Sequence, residues 1–463
     1  MVLVFNSFCH WICLLFMEKG VKEEIMKYSF SSSFTRLVWG TMVFVLLLTI
    51  AGRFVLLTGA ALTCSDSPFC IPTSSLGWLK FVHLVLAGIS AIVMIWLFLK
   101  AWREQGDDSV LLPLTTVTTV LFFGQSFVGA IQVVRNFPLH LVVLHTLTAV
   151  LLWISLIALA VISGLSAQDG KQFPKVDIRQ RLNDFFILSK PLIVALLLVT
   201  TFGGLVMGGK AWPSPSLALW TMFGGALAAG GSSALNQYID RELDKNMQRT
   251  SKRPLAAGRM NAAEGLSFGL ALCLASYYIL AGFVNLTAAL LSLAGIFYYV
   301  IFYSLWLKKA TVQNIVIGGG AGAIPPMVGW AAATGHLSLA AWILFLIIFM
   351  WTPPHFWALA IVRAKDYEHA GVPMLPVVKG ERETRLQILI YTFVLVGTTL
   401  LLPIIRATGT VYLVSAIVLG ILLIYAAWRV WKIPGNKVAW TMYRWSSMYL
   451  AFIFLALMID AVV

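Results

Sequence analysis

Apolar residues run in long, nearly uncharged stretches divided by short polar loops, and this alternation dominates the chain. A helix of about 20 residues crosses the hydrocarbon core of a bilayer. Stretches close to that length lie at 36–57, 79–100, 111–133, 140–164, 191–209, 215–236, 264–283, 286–305, 312–333, 338–361, 386–404, 410–428 and 441–462. The pattern predicts an all-α polytopic membrane protein with about 13 transmembrane helices. Between the fourth and fifth stretches, Lys171, Lys175, Arg179 and Arg181 gather with Pro174, the clearest linker in the chain. A four-helix bundle over 34–165, a cytoplasmic linker over 166–185 and a nine-helix bundle over 186–463 are therefore expected. Residues 1–33 form an extension whose apolar part, 8–16, is too short to span, and Met26 is read as the natural start.

Charge orients these spans. The positions before 36 and those at 100–103, 165–190, 241–259, 307–309, 363–385 and 429–437 are basic, whereas 58–77, 284–286 and 334–337 carry almost no positive charge. Thirteen spans starting from a cytoplasmic N-terminus satisfy that alternation, which predicts a multi-pass protein of the cell membrane. Only 11% of residues are charged, against about 25% in soluble domains, and 60% are hydrophobic. The net charge of +14 does not call for nucleic acid, because the cations sit in alternate loops where they fix orientation.

Chemistry concentrates between Gly231 and Met260. Asn236, Asp240 and Asp244 are spaced by four, which places them in one stripe along a helix. Stacked carboxylates repel each other unless a cation lies between them, and one or two carboxylates plus substrate phosphate suit Mg²⁺. Arg249, Lys252 and Arg253 follow directly and suit the same phosphate. The plainer alternative is a solvated loop with scattered charge. Downstream, Lys308 and Lys309 precede a run containing Gly318–Gly320, Gly322 and Pro325–Pro326, in which glycines allow close helix approach and prolines break the helix to shape a cavity. Pro353–Pro354 precede His355, and Asp366 follows at the same mouth. A proline-broken helix carrying an ionisable group reads as the wall of a binding site, with a satisfied packing histidine as the alternative.

In the first unit, His83 and His145 lie at matched depth within two spans and could ligate a haem iron axially, or be interfacial histidines. Cys64 and Cys70 share an external loop and could close a small disulfide ring, or remain free thiols. Cys273, inside an apolar span, reads as an inert core residue.

The segments NxxxDxxxD at Asn236–Asp244, RTSKRPL, NIVIGGGAGAIPPMVGW, PHFWALA and DYEHAGVPMLPVVKG together resemble the haem O synthases, a nine-span branch of the intramembrane aromatic prenyltransferases. The resemblance covers roughly 183–460. It implies transfer of farnesyl from farnesyl diphosphate to a vinyl group of haem B. It implies Mg²⁺–diphosphate held by Asn236, Asp240 and Asp244, with Asp366 standing for a second acidic motif. Lys190, Arg249, Arg253 and Lys308 would contact diphosphate, and His355 would face haem. The TGAALTCSDSPFC segment with His83 and His145 resembles one half of haem A synthase over about 36–164. That resemblance implies haem B held in the first unit, a Cys64–Cys70 pair, and haem A synthase or a second copy of this chain as partner. Where that family has Glu before and Arg after the first histidine, this chain has Lys80 and Leu84, which argues against hydroxylase chemistry by the half alone. The competing readings are prenylation of a quinone or other aromatic acceptor, and transport. Gathering of the acidic residues at one face, without an inverted repeat, disfavours transport.

Overall fold

The computed structural model describes residues 32–60, 74–108, 110–165, 177–369 and 371–463. The N-terminal extension, Cys64, Cys70 and most of the expected linker lie outside them. The chain divides into two compact units, residues 1–174 and 175–463.

The first unit holds α1 (Ser33–Leu57), α2 (Ser75–Glu104), α3 (Leu111–Val134) and α4 (Leu139–Leu165). Ser32 and Ser74 cap α1 and α2 by accepting from the amides of Thr35 and Gly77, which satisfies donors that a helix start leaves open. Helix α1 packs on α2 and α3 on α4. The bundle closes where Thr35 Oγ1 on α1 donates to the Ser163 carbonyl of α4 at 3.0 Å. Outward positions such as Leu57, Ile92 and Ile154 are apolar and exposed, as lipid contact requires.

The second unit opens with α5 (Ile178–Leu188), which Asp177 caps, so the stretch expected as linker ends in a helix. There follow α6 (Pro191–Gly209), α7 (Pro215–Lys245), α8 (Ala262–Ile279), α9 (Leu286–Phe297), α10 (Asn314–Thr334), α11 (Leu339–Val362), α12 (Ala364–His369), α13 (Leu375–Val378), α14 (Gly380–Thr399), α15 (Leu401–Ile404), α16 (Thr410–Lys432) and α17 (Asn436–Val462). A π turn, Leu280–Val284, extends α8, and a ten-residue π stretch, Tyr298–Leu307, extends α9. Among the described residues, twelve helices are long and apolar enough to cross a membrane. The remaining expected span, 215–236, lies in α7, where GGALAAGGSSALNQ trades apolar bulk for small and polar residues. Those small residues bring α7 against α8: a Cβ at Gly231 would meet Cys273 Sγ at 2.7 Å.

The prolines differ from expectation. Pro325–Pro326 and Pro353–Pro354 sit inside α10 and α11, which continue through them. Close neighbours allow this. Gly204 of α6 receives the Pro326 backbone and Gly329 of α10 receives Thr201, so the two backbones touch. The glycine run makes room for side chains: the rings of Tyr303 and Tyr298 fill the space beside Gly318 and Gly320. The main core joins α10, α11, α14, α16 and α17, with Trp357 and Tyr412 among its largest buried side chains.

Candidate active site

Helix α7 delivers Asn236, Asp240 and Asp244 in one stripe, each at most 4% exposed. Two buried carboxylates and an amide need partners, and four elements supply them. Lys190, at the start of α6, gives an Nζ–H to Asn236 Oδ1 at 2.8 Å. Lys308, directly after the π stretch, lies 2.6 Å from Asp240 Oδ2. Arg253, in the loop after α7, donates to Asp244 Oδ2 at 2.7 Å. Within the stripe, Asn236 Nδ2 donates to Asp240 Oδ2 at 2.8 Å and to Ser304 Oγ at 3.0 Å. Asp240 Oδ1 is buried without a hydrogen-bond partner.

Three cations therefore face two carboxylates, an excess that suits a polyanion. The crowding registers on Lys190, whose residue adopts a left-handed backbone with φ of 50°. Burial first, then the charges of Arg253 and Lys308, pull its ammonium down to about 7 against the opposing pull of Asp240 and Asp244.

The loop after α7 is anchored from outside the site. Arg259 bonds Asp184 of α5 at 3.0 Å, and Arg181 of α5 bonds Glu264 at 2.8 Å. Arg249 comes within electrostatic reach of Tyr367 in the other loop, and burial raises the Tyr367 phenol. Met247, Tyr367, Val372 and Met374 share one core, so the loops that follow α7 and α11 meet. Asp366, half-buried on α12, adjoins Tyr367. It does not join Asp240 and Asp244: among the described residues no three Asp, Glu, His or Cys converge on one point. Any metal here must take further ligands from substrate or water. Asp240 Oδ1, buried and unpartnered beside Asp244, fits such a hard cation.

His355 takes a different place from the carboxylate stripe. Its ring is sandwiched between Trp351, at 4.2 Å, and Tyr443 of α17, at 4.5 Å, and its Nδ1 pairs with Ser446 Oγ at 2.7 Å. Trp440 extends the stack from Tyr443. Ser304 and Tyr367 escaped the sequence reading. A serine in an aromatic run and a tyrosine in a loop carry no spacing signal, and only the fold brings them to Asn236 and Arg249.

In the first unit, His83 packs over Gly52 of α1, where a Cβ would lie 2.9 Å from Cε1. His145 packs over Gly129 of α3 in the same way, also at 2.9 Å. Both Nδ1 atoms are buried without partners, and Gln125 Nε2 approaches His145 Nε2 at 3.1 Å. The histidines lie within electrostatic reach of each other. Two imidazoles cradled by glycines, each with an orphaned nitrogen, have the donor chemistry that a haem iron accepts.

The sequence profile of the UbiA prenyltransferase family matches residues 197–453, the segment that holds the acidic stripe, Lys308 and both loops. The chain belongs to that family. Among its relatives, the Protoheme IX farnesyltransferase of Roseiflexus sp. (strain RS-1) is 39% identical over 431 residues, covering 88% of this chain and 80% of the relative. The Protoheme IX farnesyltransferase of Gloeobacter violaceus is 51% identical over 282 residues, covering 61% of this chain and 92% of the relative. The solved structure reported for Digeranylgeranylglyceryl phosphate synthase in membranes covers 61% of this chain and 99% of its own. Its TM-score of 0.53 at 18% identity shows a shared fold. The profile of COX15-CtaA, Cytochrome oxidase assembly protein, matches residues 3–157 and 73–248.

Proposed function

We propose that the second unit transfers the farnesyl group of farnesyl diphosphate to a vinyl group of protohaem IX, giving haem O and diphosphate. The observation that carries this reading is the buried stripe of Asn236, Asp240 and Asp244 ringed by Lys190, Arg253 and Lys308. Relatives named for this reaction, at 39–51% identity, support the acceptor. Mg²⁺, when bound through Asp240 and Asp244, would neutralise charge on the leaving diphosphate.

The protein's own groups divide the remaining work. Arg253 and Lys308 leave their carboxylates to meet phosphate oxygens, so cations already desolvated face the charge that grows as the allylic C–O bond breaks. Arg249, beside Tyr367 where the two loops approach, helps keep bulk water from the farnesyl cation. The vinyl π electrons then form the new C–C bond. Water adds to the resulting haem-adjacent carbocation and loses a proton, which leaves the hydroxyethylfarnesyl group. Asp366 is assigned to the diphosphate site from the second loop, and His355 to the haem side through its aromatic stack. The catalytic loops are placed on the cytoplasmic face of the cell membrane, following the Lys and Arg pattern.

The first unit, residues 34–165, is proposed to hold haem B through His83 and His145, with haem A synthase or a second copy of this chain as partner. The glycine cradles and orphaned nitrogens support this. One experiment tests the main reading: membranes containing the chain are incubated with haem B, farnesyl diphosphate and Mg²⁺, and the haem is weighed by mass spectrometry. Farnesylated haem is expected. Product from a quinone acceptor but none from haem would overturn it.

A further inference from the structure

We infer that Ser304 is a positioning residue for the diphosphate site, setting the orientation of the Asn236 amide and the register that carries Lys308 to Asp240. The inference rests on the prenyltransferase reading and deepens it. Ser304 is 1% exposed and lies inside the π stretch Tyr298–Leu307. Its hydroxyl donates to the Tyr299 carbonyl, five residues back, at 2.8 Å. A carbonyl five residues back is the acceptor that a π register uses and an α register does not.

That bond spends the single hydroxyl hydrogen, so toward Asn236 the Ser304 oxygen can only accept. Asn236 must therefore turn its NH₂ toward Ser304, at 3.0 Å, and toward Asp240 Oδ2, at 2.8 Å. Its carbonyl oxygen is left for Lys190, whose Nζ donates to it at 2.8 Å. The reversed amide would aim an oxygen at both Asp240 and Ser304 and an NH₂ at an ammonium, losing every one of these bonds. With the observed orientation, Asp240 Oδ2 takes Asn236 and Lys308 together, and Oδ1 stays free of protein partners. That free oxygen is the one fitted to a metal-bound diphosphate.

The same serine acts along the helix. The π stretch inserts residues relative to an α-helix, and its last residue, Leu307, hands directly to Lys308. A return to α register would rotate Lys308 by about 100° per residue removed, away from Asp240. One hydroxyl thus links an amide orientation on α7 to a lysine position four residues further along its own segment.

The test compares Ser304→Ala and Ser304→Thr in the full chain, with Ser304→Cys as a near-isosteric substitute should the alanine variant not fold. Thermal unfolding in detergent checks folding. Calorimetry measures farnesyl diphosphate binding with Mg²⁺ and with EDTA, and steady-state assays separate the KM values of the two substrates. The loss of one buried hydrogen bond weakens binding about tenfold. The expected result is that Ser304→Ala weakens farnesyl diphosphate binding in Mg²⁺ and raises its KM by about that factor, with less effect in EDTA and none on the KM for haem. Ser304→Thr, which keeps the hydroxyl, restores binding. A folded Ser304→Ala or Ser304→Cys chain that binds like wild type, or a threonine variant as weak as alanine, overturns the inference. A wild-type chain that binds farnesyl diphosphate but leaves haem unmodified would remove the acceptor assignment instead, and the binding comparison would still decide the role of Ser304.

Discussion

Lys308 Nζ lies 2.6 Å from Asp240 Oδ2, although 68 residues of chain separate the two. A buried ion pair of this kind is a weak source of stability, because desolvation of both charges offsets much of their attraction. On the proposed reading, its use is to keep a cation and a carboxylate dry and ready. An arriving diphosphate would offer Lys308 a stronger partner and leave Asp240 available to a metal ion, so ligand binding would exchange contacts without hydrating the site.

Asp240→Ala and Asp244→Ala are accordingly expected to abolish haem O formation while leaving the chain folded. Lys308→Ala should lower kcat about 10²–10³-fold, the usual cost of losing one donor to developing charge. Mass analysis of haem after single-turnover incubation, with circular dichroism as a folding check, measures both. Product retained by the doubly substituted chain would count against the site.

Lys190 sets a pH limit. Its ammonium falls to about 7, chiefly through burial, so the charged form that donates to Asn236 dominates below that pH and is lost above it. Log kcat/KM for farnesyl diphosphate reports the free enzyme and should therefore decline as pH rises through about 7. An arginine stays charged over this range, so Lys190→Arg should flatten the decline even where its absolute rate is lower. A pH–rate series on both chains checks this, and identical profiles would free Lys190 of the role.

Much of this arrangement was legible in the chain. The spans follow from apolar length, and the stripe follows from spacing by four on a helix. What escaped depended on long-range assembly. The hydropathy pattern showed α7 as one more span, yet it is a small-residue helix whose polar third is buried by neighbours. Two proline pairs suggest broken helices, but Gly204 of the facing α6 makes room for Pro326 so that α10 runs on, and α11 likewise continues through Pro353–Pro354. The π stretch left no periodic trace, since a shifted register in an all-apolar segment moves no polar residue except Ser304. For His355 the sequence leaves a binding-site wall and a packing histidine open, and the structure sets its ring between Trp351 and Tyr443 with Ser446 at Nδ1. Asp366, expected to stand for a second acidic motif, lies on α12 beside Tyr367, in the segment that follows α11.

The glycine cradles of the first unit yield a prediction that removes no ligand. At Gly52 and Gly129, a side chain would occupy the space of the His83 and His145 rings. Gly52→Val and Gly129→Val should each displace their imidazole and reduce the low-spin haem absorbance of the purified chain, as His83→Ala or His145→Ala should. Gly40→Val, on the same helix as Gly52 but with open space beside it, should leave the spectrum unchanged. Spectra indifferent to all four cradle and histidine variants would leave the unit without a haem site.

Two further glycines separate close packing from propensity. At Gly329 a Cβ would overlap the Thr201 carbonyl, a backbone atom that cannot rotate away. Gly329→Ala must therefore push α10 from α6, at a cost of about 1–3 kcal/mol or more for overpacking. Gly322, two turns earlier on α10, has nothing within 4 Å of its Cβ position. There the same substitution only removes backbone freedom, and a gain of about 0.4–1 kcal/mol is expected. Thermal unfolding of the two variants in one detergent should thus move in opposite directions. Equal shifts would mean that the α6–α10 contact is looser than the backbone geometry requires.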